Sequence, residues 1–541
     1  MSTEWTRAVT FPEADVAARR RLFALMVGAV AMAWIALGVH VLAPGGWSVW
    51  EVALLFCILA NAPWLALGGV TGLLGFLVRL RASSVGEAAT HDPLVLRTLL
   101  AVCVRDEAMP EVLQPLAALM DGLKASGHGD AFAIAILSDT QDNDAAAREE
   151  AAVSQLAAAR PQGEVIYRRR ADNVGYKAGN VMEFLDHHAG GFSLLLLLDA
   201  DSVMEPALVL QMVRSMQQEP GLAILQSTVT GGEGATSFAC LLGHGHAPGM
   251  LTWAAGQDWW QGGEGPFWGH NALLRIAPFR QHCRLETLPD GSAILSHDHV
   301  EAARLHQAGW EVRVLPTPQG SFEAHPPNVA EFLERDRRWN AGNMQYRHLL
   351  LNPALGVLGR LQMLQAMLHY ALAPLWFAML PLAVLNAMEG AEGTPRGSLL
   401  VLLLSGYGLL HLPRLAGHAL NLMAAPAGRR GRVMRDAAAE SGFILLFDSI
   451  AALDKSLTVL SHAFRLRRAG WPVQQRRPRA ILWREAVRRF WPHSIAGLLL
   501  LGLLITSGSA FAVAVALPAL AGLIGSIPFC VMTARPRAAA S

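Results

Sequence analysis

The sequence is poor in charged residues and has no clustered cysteines. Asp, Glu, Lys and Arg make up 16% of its 541 residues, whereas about a quarter is usual in a soluble domain. Hydrophobic residues make up 52%, which favours a membrane protein. The five cysteines form no CxxC pair, which argues against a disulfide framework or a zinc ribbon and suits a reducing compartment. The first apolar run is too long for a cleaved signal peptide.

Apolar runs long enough to cross a membrane occur on both sides of a long polar segment. A membrane-spanning helix needs about 20 apolar residues. The predicted spans are residues 22–43, 52–78, 361–388, 399–423, 493–517 and the shorter 519–533. Arginines flank the outer ends of the first pair, at Arg19–Arg21 and at Arg79 and Arg81. Because basic flanks stay on the cytoplasmic side, we expect the segment from Arg81 to Pro353 to lie in the cytoplasm.

Residues 443–464 carry an apolar stripe with spacings of three and four, which Asp448, Asp454 and Lys455 interrupt. Basic segments flank both ends, and a spanning helix would leave one of them outside the cell. The pattern favours an amphipathic helix on the cytoplasmic membrane surface, with a seventh span as the alternative. The predicted organisation is an N-terminal segment with two spans (1–83), a cytoplasmic domain (84–353), and a region with about four spans and this interfacial helix (354–541).

Strand-like and helix-like runs alternate in the predicted cytoplasmic domain. The predicted strands are "VLRTLLAVCV", "AFAIAILSD" and "SLLLLLD", and the predicted helices between them are "PEVLQPLAALMDGLKA" and "NDAAAREEAAVSQLAAA". This alternation predicts a mostly parallel sheet with helices on both faces. Ligands of such sheets bind beyond the carboxyl ends of the strands. Acidic residues that follow a predicted strand are therefore candidates for a binding site.

Two of the predicted strands end in carboxylates. A run of leucines leads directly into Asp199 and Asp201. Two carboxylates at this spacing can share a divalent cation, and Mg²⁺ favours one or two carboxylates together with phosphate oxygens. Any acidic turn gives the same pair by chance, so the spacing alone does not establish a metal site. Asp139 closes the preceding strand, where it could accept hydrogen bonds from a nucleoside. The alternative is that it caps the following helix, but Asp142 or Asp144 fits the cap position better.

Three further segments contain candidates. The stretch "YRRRADNVGYKAGN", with Lys177 near its end, is either a loop that holds a diphosphate or an ordinary solvated basic loop. Asp298 stands at the start of a helical run, as a helix cap or as a general base facing an acceptor hydroxyl. The stretch "EFLERDRRWNAGN" supplies Arg335, Arg338 and Trp339, which could anchor a membrane interface or bind a diphosphate and a sugar ring. Four more tryptophans offer stacking faces or simple packing: Trp253, Trp259, Trp260 and Trp268.

In their order along the chain, these motifs resemble those of the processive family-2 glycosyltransferases of the inner membrane. Cellulose- and hyaluronan-synthase-like members carry an Asp, DxD, TED and QxxRW. In this sequence Ser-His-Asp, ending at Asp298, stands in place of TED, and Arg-x-x-Arg-Trp, ending at Trp339, stands in place of QxxRW. These departures, with "LDADSVM", "WGHNALLR" and "GSAILSHDHVEAA", are most similar to the glucans biosynthesis glucosyltransferase H family, which builds the backbone of osmoregulated periplasmic glucans.

The resemblance implies an α/β GT-A-like cytoplasmic domain inserted between the transmembrane helices of a polytopic α-helical membrane region. It also implies an inverting, processive transfer of glucose from UDP-glucose into a linear β-1,2-glucan, with Mg²⁺ or Mn²⁺ as cofactor and Asp298 as the base. The residues implied to bind the nucleotide sugar are Asp106, Asp139, Lys177, Asp199 and Asp201, of which the last two would hold the metal. Those implied at the acceptor and diphosphate end are His270, Asn271, Arg335, Arg338 and Trp339.

The implied partners are UDP-glucose, the growing glucan, the lipid bilayer, acyl carrier protein and periplasmic glucan-processing proteins, and nucleic acid is not expected. The implied location is the bacterial inner membrane, with the catalytic domain in the cytoplasm and the glucan moved across the membrane. One alternative is another family-2 polysaccharide synthase, which makes a cellulose-like β-glucan or uses a different sugar. A second is a transporter whose cytoplasmic domain only binds nucleotide, although the base and the Arg-x-x-Arg-Trp motif would then be unexplained.

Overall fold

The computed structural model describes residues 15–81, 93–231, 234–390, 393–464 and 478–537. Two long helices come first, α1 (Val16–Leu42) and α2 (Val49–Arg81). Both are long and apolar enough to cross a membrane, as the sequence predicts. The predicted boundary between residues 83 and 84 lies outside the described residues.

A mixed α/β region follows α2. Its strands are β1 (Thr98–Val104), β2 (Phe132–Ser138), β3 (Val165–Arg169), β4 (Leu194–Leu198), β5 (Val203–Met204), β6 (Leu222–Ser227), β7 (Thr230–Gly231), β8 (Ala272–Arg275), β9 (Glu311–Leu315) and β10 (Ser321–Glu323). Its helices are α3 (Met109–Ala125), α4 (Asn143–Ala158), α5 (Tyr176–His187), α6 (Pro206–Gln218), α7 (Ser237–Gln261), α8 (Ile276–His282), α9 (Asp298–Gln307) and α10 (Val329–Met344).

Within the described residues, a seven-stranded sheet has the order β3-β2-β1-β4-β8-β6-β9. Strand β8 runs antiparallel to both of its neighbours, and the other pairs are parallel. A small second sheet has the order β5-β10-β7. The prediction of a mostly parallel sheet is therefore confirmed.

Burial on both faces explains the continuous apolar run of β4, whose five leucines are all buried. Apolar side chains of α3 and α6 pack on one face of the sheet, and those of α5, α8 and α9 pack on the other. The core of the α/β region thus consists of two layers with the sheet between them. Polar residues that follow β4 leave this core at the edge of the sheet.

The sequence analysis does not predict β3, because it assigns Arg168 and Arg169 to a loop. Both arginines lie at the end of this strand, which pairs with β2 alone at the edge of the sheet. An edge strand is covered less completely than a central one, and most of the side chains of β3 are only partly buried. The loop prediction is wrong because a half-exposed strand can carry polar residues. These residues interrupt the apolar pattern by which a strand is recognised in the sequence.

The α/β region is followed by further helices. They are α11 (Val357–Ala371), α12 (Ala373–Met388), α13 (Arg396–Ala424), α14 (Ala427–Ala463), α15 (Trp483–Thr506), α16 (Ala510–Ile524) and α17 (Ser526–Thr533). Val357–Met388, Arg396–Ala424 and Trp483–Thr506 are long and apolar enough to span a membrane, and α16 with α17 would make one more span with a bend of 58°. Across the described residues this gives five candidate spans, or six if the bent pair is one span.

The predicted span over residues 493–517 is wrong, because the chain turns inside it. Helix α15 ends at Thr506, and α16 begins at Ala510. Gly508 has a φ of +69°, and the hydroxyl oxygen of Ser509 accepts a hydrogen bond from the N–H of Ala512 over 3.2 Å. A left-handed glycine followed by a serine cap ends one helix and starts another.

Helix α14 contains both the predicted amphipathic helix and the basic segment before it. It runs over 37 residues, so the basic stretch before the apolar stripe is helical, and α14 is not among the candidate spans of the described residues. Its stripe is buried against neighbouring helices from Phe443 to Leu453. Asp454 is buried as well and pairs with Arg337 of α10. An acid that interrupts the apolar stripe thus meets a partner inside the protein. The basic residues 465–477 lie outside the described chain.

Helix α7 of the α/β region crosses α2 with almost no side chain between the two backbones. A Cβ atom at Gly75 of α2 would overlap the carbonyl oxygen of Thr252, and one at Gly256 of α7 would overlap the carbonyl oxygen of Thr71. Small residues allow helix backbones to approach this closely. This crossing fixes the position of the α/β region against the apolar helices.

We expect Gly75→Ala to destabilise the protein by about 1–3 kcal/mol, because the added methyl group would overlap backbone atoms that cannot easily move. The matched control is Gly28→Ala in α1, where a Cβ atom would meet nothing within 4 Å and alanine favours the helix. Melting of the purified protein in detergent should occur at a lower temperature for Gly75→Ala and at an equal or higher temperature for Gly28→Ala. Equal melting temperatures for the two variants would contradict the tight crossing.

Candidate active site

Three acidic residues follow neighbouring strands at one edge of the sheet. Asp106, Asp139 and Asp199 come just after β1, β2 and β4, and β1 pairs in parallel with the other two strands. Because parallel strands end at the same edge, the three acids border one crevice. Asp139 is buried, Asp199 is half-buried and Asp106 is exposed. The N–H of Asp106 donates to the hydroxyl oxygen of Thr140 over 2.9 Å, which ties the ends of β1 and β2 together.

Asp139 binds an arginine of the same edge. Nε and Nη2 of Arg170 donate to its two carboxylate oxygens, and the bond from Nη2 measures 2.9 Å. The same guanidinium donates to the carbonyl oxygens of Val174 and Tyr176 over 2.8 and 2.6 Å. Asn173 Nδ2 donates to the carbonyl oxygen of Asp139 over 2.9 Å. Through Arg170, Asp139 fixes the loop between β3 and α5, a function that the local sequence pattern does not reveal.

The other arginines of the basic stretch also bind protein groups. Arg168 Nη2 donates to the side-chain and backbone oxygens of Asn180 over 2.6 and 2.8 Å. Arg169 Nε donates to the carbonyl oxygen of Thr140 over 2.8 Å. The stretch is thus neither a solvated loop nor an open cradle, because its arginines hold the surrounding backbone. Lys177, in the first turn of α5, is the basic residue of this stretch that reaches the carboxylate of Asp199.

Lys177 connects the two sides of the crevice. Its Nζ donates to Asp199 Oδ1 and, over 2.7 Å, to the carbonyl oxygen of Gly269. Burial lowers the pKa of Lys177, but the negative groups around it, chiefly the Asp199 carboxylate, together raise the pKa above its usual value. Asp298 contributes to the same rise, and a Cβ atom at Gly269 would lie 3.6 Å from Asp298 Oδ2. The structure therefore brings Asp199, Lys177 and Asp298 together.

Asp298 is the first residue of α9, and the cap position belongs to His297. The alternative interpretation, in which Asp298 caps the helix, is therefore not supported. His297 Nδ1 lies 2.8 Å from Glu301 Oε2, and although burial lowers the pKa of His297, Glu301 raises it above its usual value. A carboxylate in the first turn of a helix is stabilised by the helix dipole. Asp298 lies in this first turn and next to Gly269, at the crevice.

His270 and Asn271 precede β8, and their surroundings differ. Asn271 is fully buried, its φ of +49° is left-handed, and its Nδ2 donates to the hydroxyl oxygen of Ser321 over 2.9 Å. His270 Nδ1 lies 3.3 Å from Glu323 Oε1 on β10. Burial lowers the pKa of His270, but the nearby carboxylates, Glu323 first and then Asp199 and Asp201, together raise it above its usual value. Asn271 thus positions the loop from within, whereas His270 faces other polar groups.

A group of possible metal ligands forms around His270. One ligand atom from each of Asp199, His270 and Glu323 lies within 4.8 Å of the other two. Two carboxylates and an imidazole are a donor set that a divalent cation can accept. Asp201 is not in this group. Its charge adds to the rise in the pKa of His270 and opposes the decrease that burial causes in the pKa of Arg335. Sequence reasoning missed Glu323, because no local pattern in β10 indicates which residues its side chain would meet.

Arg335, Arg338 and Trp339 lie on α10. Burial lowers the pKa of Arg335, and the carboxylates of Glu323 and Asp201 oppose this decrease, so Arg335 faces the acidic side of the crevice. Its guanidinium lies 4.7 Å from the centre of the Trp339 ring, and 45% of Trp339 is exposed. The indole, exposed in part, therefore offers a stacking face beside the guanidinium of Arg335.

A cavity of about 180 Å³ lies between the α/β region and the apolar helices. Its wall includes Trp64, Trp253, Trp268, His299, Gln362 and Gln365. His299 follows Asp298 directly in the chain, so the cavity adjoins the predicted base. Indole rings and side-chain amides provide the stacking faces and hydrogen bonds that a sugar chain needs.

The predicted stacking tryptophans divide into two pairs. Trp253 and Trp268 line the cavity. Trp260 is buried and its ring stacks on that of Phe23, with centroids 4.2 Å apart. Arg19 lies over the ring of Trp259 at 5.6 Å. Only the first pair is thus placed to touch a substrate, because the second pair packs against α1.

Comparisons with known proteins agree with these observations. The family model described as "Glycosyl transferase family group 2" matches residues 194–411. The glucans biosynthesis glucosyltransferase H of Xanthomonas campestris is 30% identical over 537 residues, which cover 93% of this chain and 82% of that protein. The protein of the same name from Pseudomonas entomophila is 32% identical over 514 residues, which cover 90% of this chain and 59% of that protein.

Among solved structures, the mannosyltransferase PcManGT of Pyrobaculum calidifontis, in complex with GDP-Man and Mn²⁺, aligns with a TM-score of 0.41 and 13% identity. The alignment covers 77% of this chain and all of that one. The family model and the mixed sheet between apolar helices confirm the predicted α/β GT-A-like fold with a polytopic helical region.

Proposed function

Because the chain belongs to the glucans biosynthesis glucosyltransferase H family, we propose that it transfers glucose from UDP-glucose to a growing β-1,2-glucan with inversion. The observation that carries this proposal is the convergence of Asp199, Lys177 and Asp298 around Gly269. A carboxylate and an ammonium group on one side suit a nucleotide diphosphate, and a separate carboxylate on the other side suits a proton acceptor.

The donor would bind at the ends of β1, β2 and β4. Asp106 and Asp139 border the end of the crevice where a nucleoside would lie, and Lys177 would meet the diphosphate. A metal ion held by carboxylates at the end of β4 would, when bound, neutralise charge on the diphosphate. Arg335 and Lys177 would stabilise the negative charge that develops on the departing UDP.

The acceptor would bind on the side of Asp298 and Trp339. A sugar hydroxyl is too weak an acid to attack unaided, so Asp298 would take its proton as the hydroxyl oxygen attacks the anomeric carbon. Asp199 is already bound by Lys177 and is poorly suited to act as a second nucleophile. A single displacement follows, and it inverts the α-linked donor to a β-linked product.

We propose that the cavity beside His299 receives the product at the start of a path across the membrane. Its position between the α/β region and the spans supports this, as do the tryptophans that line it. A polar chain cannot cross hydrocarbon without a protein lining. The proposal places the α/β region in the cytoplasm, where UDP-sugars are made, and the spans in the inner membrane. Acyl carrier protein and periplasmic processing proteins stay predictions.

Purified full-length protein incubated with UDP-glucose and Mg²⁺ or Mn²⁺ tests the reaction. We expect UDP release together with a glucan whose linkage analysis shows β-1,2-linked glucose. A β-1,4 product, or turnover of a different nucleotide sugar only, would replace the proposal with that of another polysaccharide synthase. Absence of turnover with every nucleotide sugar tried, in protein that binds UDP, would favour the transporter alternative.

Inside-out membrane vesicles test the proposed path. With UDP-glucose outside, labelled glucan should collect in the lumen and resist an added glucanase until detergent opens the vesicles. Glucan that remains entirely outside the lumen would show that this chain does not secrete by itself.

A further inference from the structure

Two buried polar atoms at the edge of the crevice have no hydrogen-bond partner among the described residues. They are Nδ1 of His270 and Oε1 of Glu323, which lie 3.3 Å apart. The two atoms make an ion pair at this distance, without the geometry of a hydrogen bond. Buried polar atoms held this loosely are costly. A cation between them would bind both, since the carboxylate oxygen and the imidazole nitrogen can each give it a lone pair.

The spacing of these atoms fits neighbouring ligands of one cation. Donor atoms bound at about 2.1 Å in adjacent positions around an ion lie about 3 Å apart, which is close to the observed 3.3 Å. Asp199 supplies a carboxylate oxygen within 4.8 Å of both atoms. The three residues come from the end of β4, the loop before β8 and the strand β10. Such a meeting of three separate segments is typical of a built site.

We propose that Asp199, His270 and Glu323 form the metal site of this protein and that the imidazole nitrogen makes the site prefer Mn²⁺ to Mg²⁺. Mg²⁺ favours oxygen ligands and water, whereas nitrogen donors favour transition metals. The sequence pattern instead suggests Asp199 and Asp201, an oxygen-only pair without such a preference. The inference rests on the proposed function for its biological meaning, because the ion would lie next to Lys177 and the donor diphosphate.

Pulsed electron paramagnetic resonance of Mn²⁺ in the full-length protein with UDP tests the ligand set directly. An imidazole nitrogen bound to Mn²⁺ gives a ¹⁴N modulation that carboxylates and phosphates do not give. We expect this modulation in the unaltered protein and its loss in His270→Asn. Its absence from the unaltered protein with Mn²⁺ bound would overturn the proposal, whether or not any variant folds.

Titration of Mn²⁺ binding, with Mg²⁺ as competitor, tests the preference. His270→Asn and Glu323→Gln should weaken Mn²⁺ binding by about tenfold or more. His270→Asp, which makes all three ligands carboxylates, should bind Mg²⁺ in competition with Mn²⁺ more strongly than the unaltered protein does. His187→Asn, on the exposed end of α5, is the matched control and should bind as the unaltered protein does. Equal Mn²⁺ affinities for His270→Asn and the control would overturn the proposal.

These measurements separate the metal site from the proposed function. A nitrogen signal from His270 in a protein that transfers no glucose would establish the site and contradict the function. Glucose transfer with bound Mn²⁺ and no nitrogen signal would contradict the site and leave the function standing.

Discussion

Replacing Asp298 by Asn should lower the rate of sugar transfer by about 10²–10⁴-fold, while UDP binding stays unchanged. The amide keeps the shape of the side chain but cannot take a proton from the acceptor hydroxyl. Asp298 lies beside Gly269, whose carbonyl oxygen accepts from Lys177, so the carboxylate is next to the proposed donor site. Release of UDP from UDP-glucose measures the rate, and calorimetric titration with UDP measures binding.

The control for this variant is Asp130→Asn, an exposed acid at the opposite end of β2. It loses the same charge and should keep the full rate. If Asp298→Asn retained more than a small fraction of the rate, the base would have to be sought elsewhere. If it lost UDP binding as well, Asp298 would belong to the donor site rather than to the acceptor side.

Replacing Asp139 by Ala should destabilise the protein by about 3–5 kcal/mol. Asp139 and Arg170 are both buried, with 8% and 5% of each residue exposed, and the removal of one partner leaves the other charge buried without compensation. Arg170 also holds the carbonyl oxygens of Val174 and Tyr176, next to Lys177. The variant should therefore bind UDP more weakly in addition to melting at a lower temperature.

A graded series makes this prediction specific. Asp139→Asn keeps an acceptor oxygen and should melt between the unaltered protein and Asp139→Ala. Asp172→Ala, an exposed acid of the same loop, removes an equal charge and should leave the melting temperature unchanged. If Asp139→Ala melted like Asp172→Ala, the buried pair would not hold the loop, and Asp139 would be left with its proposed contact to the nucleoside alone.

The local sequence pattern was sufficient to predict the strands that are completely buried. The central strands β1, β2 and β4 are continuous apolar runs, and Asp139 and Asp199, which follow β2 and β4, lie at the carboxyl edge as expected. The same pattern failed for β3, which is half-exposed, and for the turn at Gly508, where one glycine interrupts an apolar run. Composition reports how much apolar surface a segment has, but it does not report where the chain changes direction.

Contacts between distant segments were beyond sequence reasoning. Asp454 interrupts an apolar stripe and was expected at a membrane surface, yet it is buried against Arg337, 117 residues away. Arg170 was placed in a loop that either holds a diphosphate or is solvated, yet it binds Asp139. In both cases a charge that looks free in the sequence finds its partner only when two elements pack together.

By itself the sequence determined the class of the protein, most of its apolar spans, the mostly parallel sheet and the position of acids at the strand ends, because each depends on the burial of residues that are neighbours in the chain. Only the tertiary structure decided which acids share a site. It brought Glu323 to His270 and Asp199, and Asp298 to Lys177, since these meetings depend on how the strands order themselves in the sheet and on the loops between them.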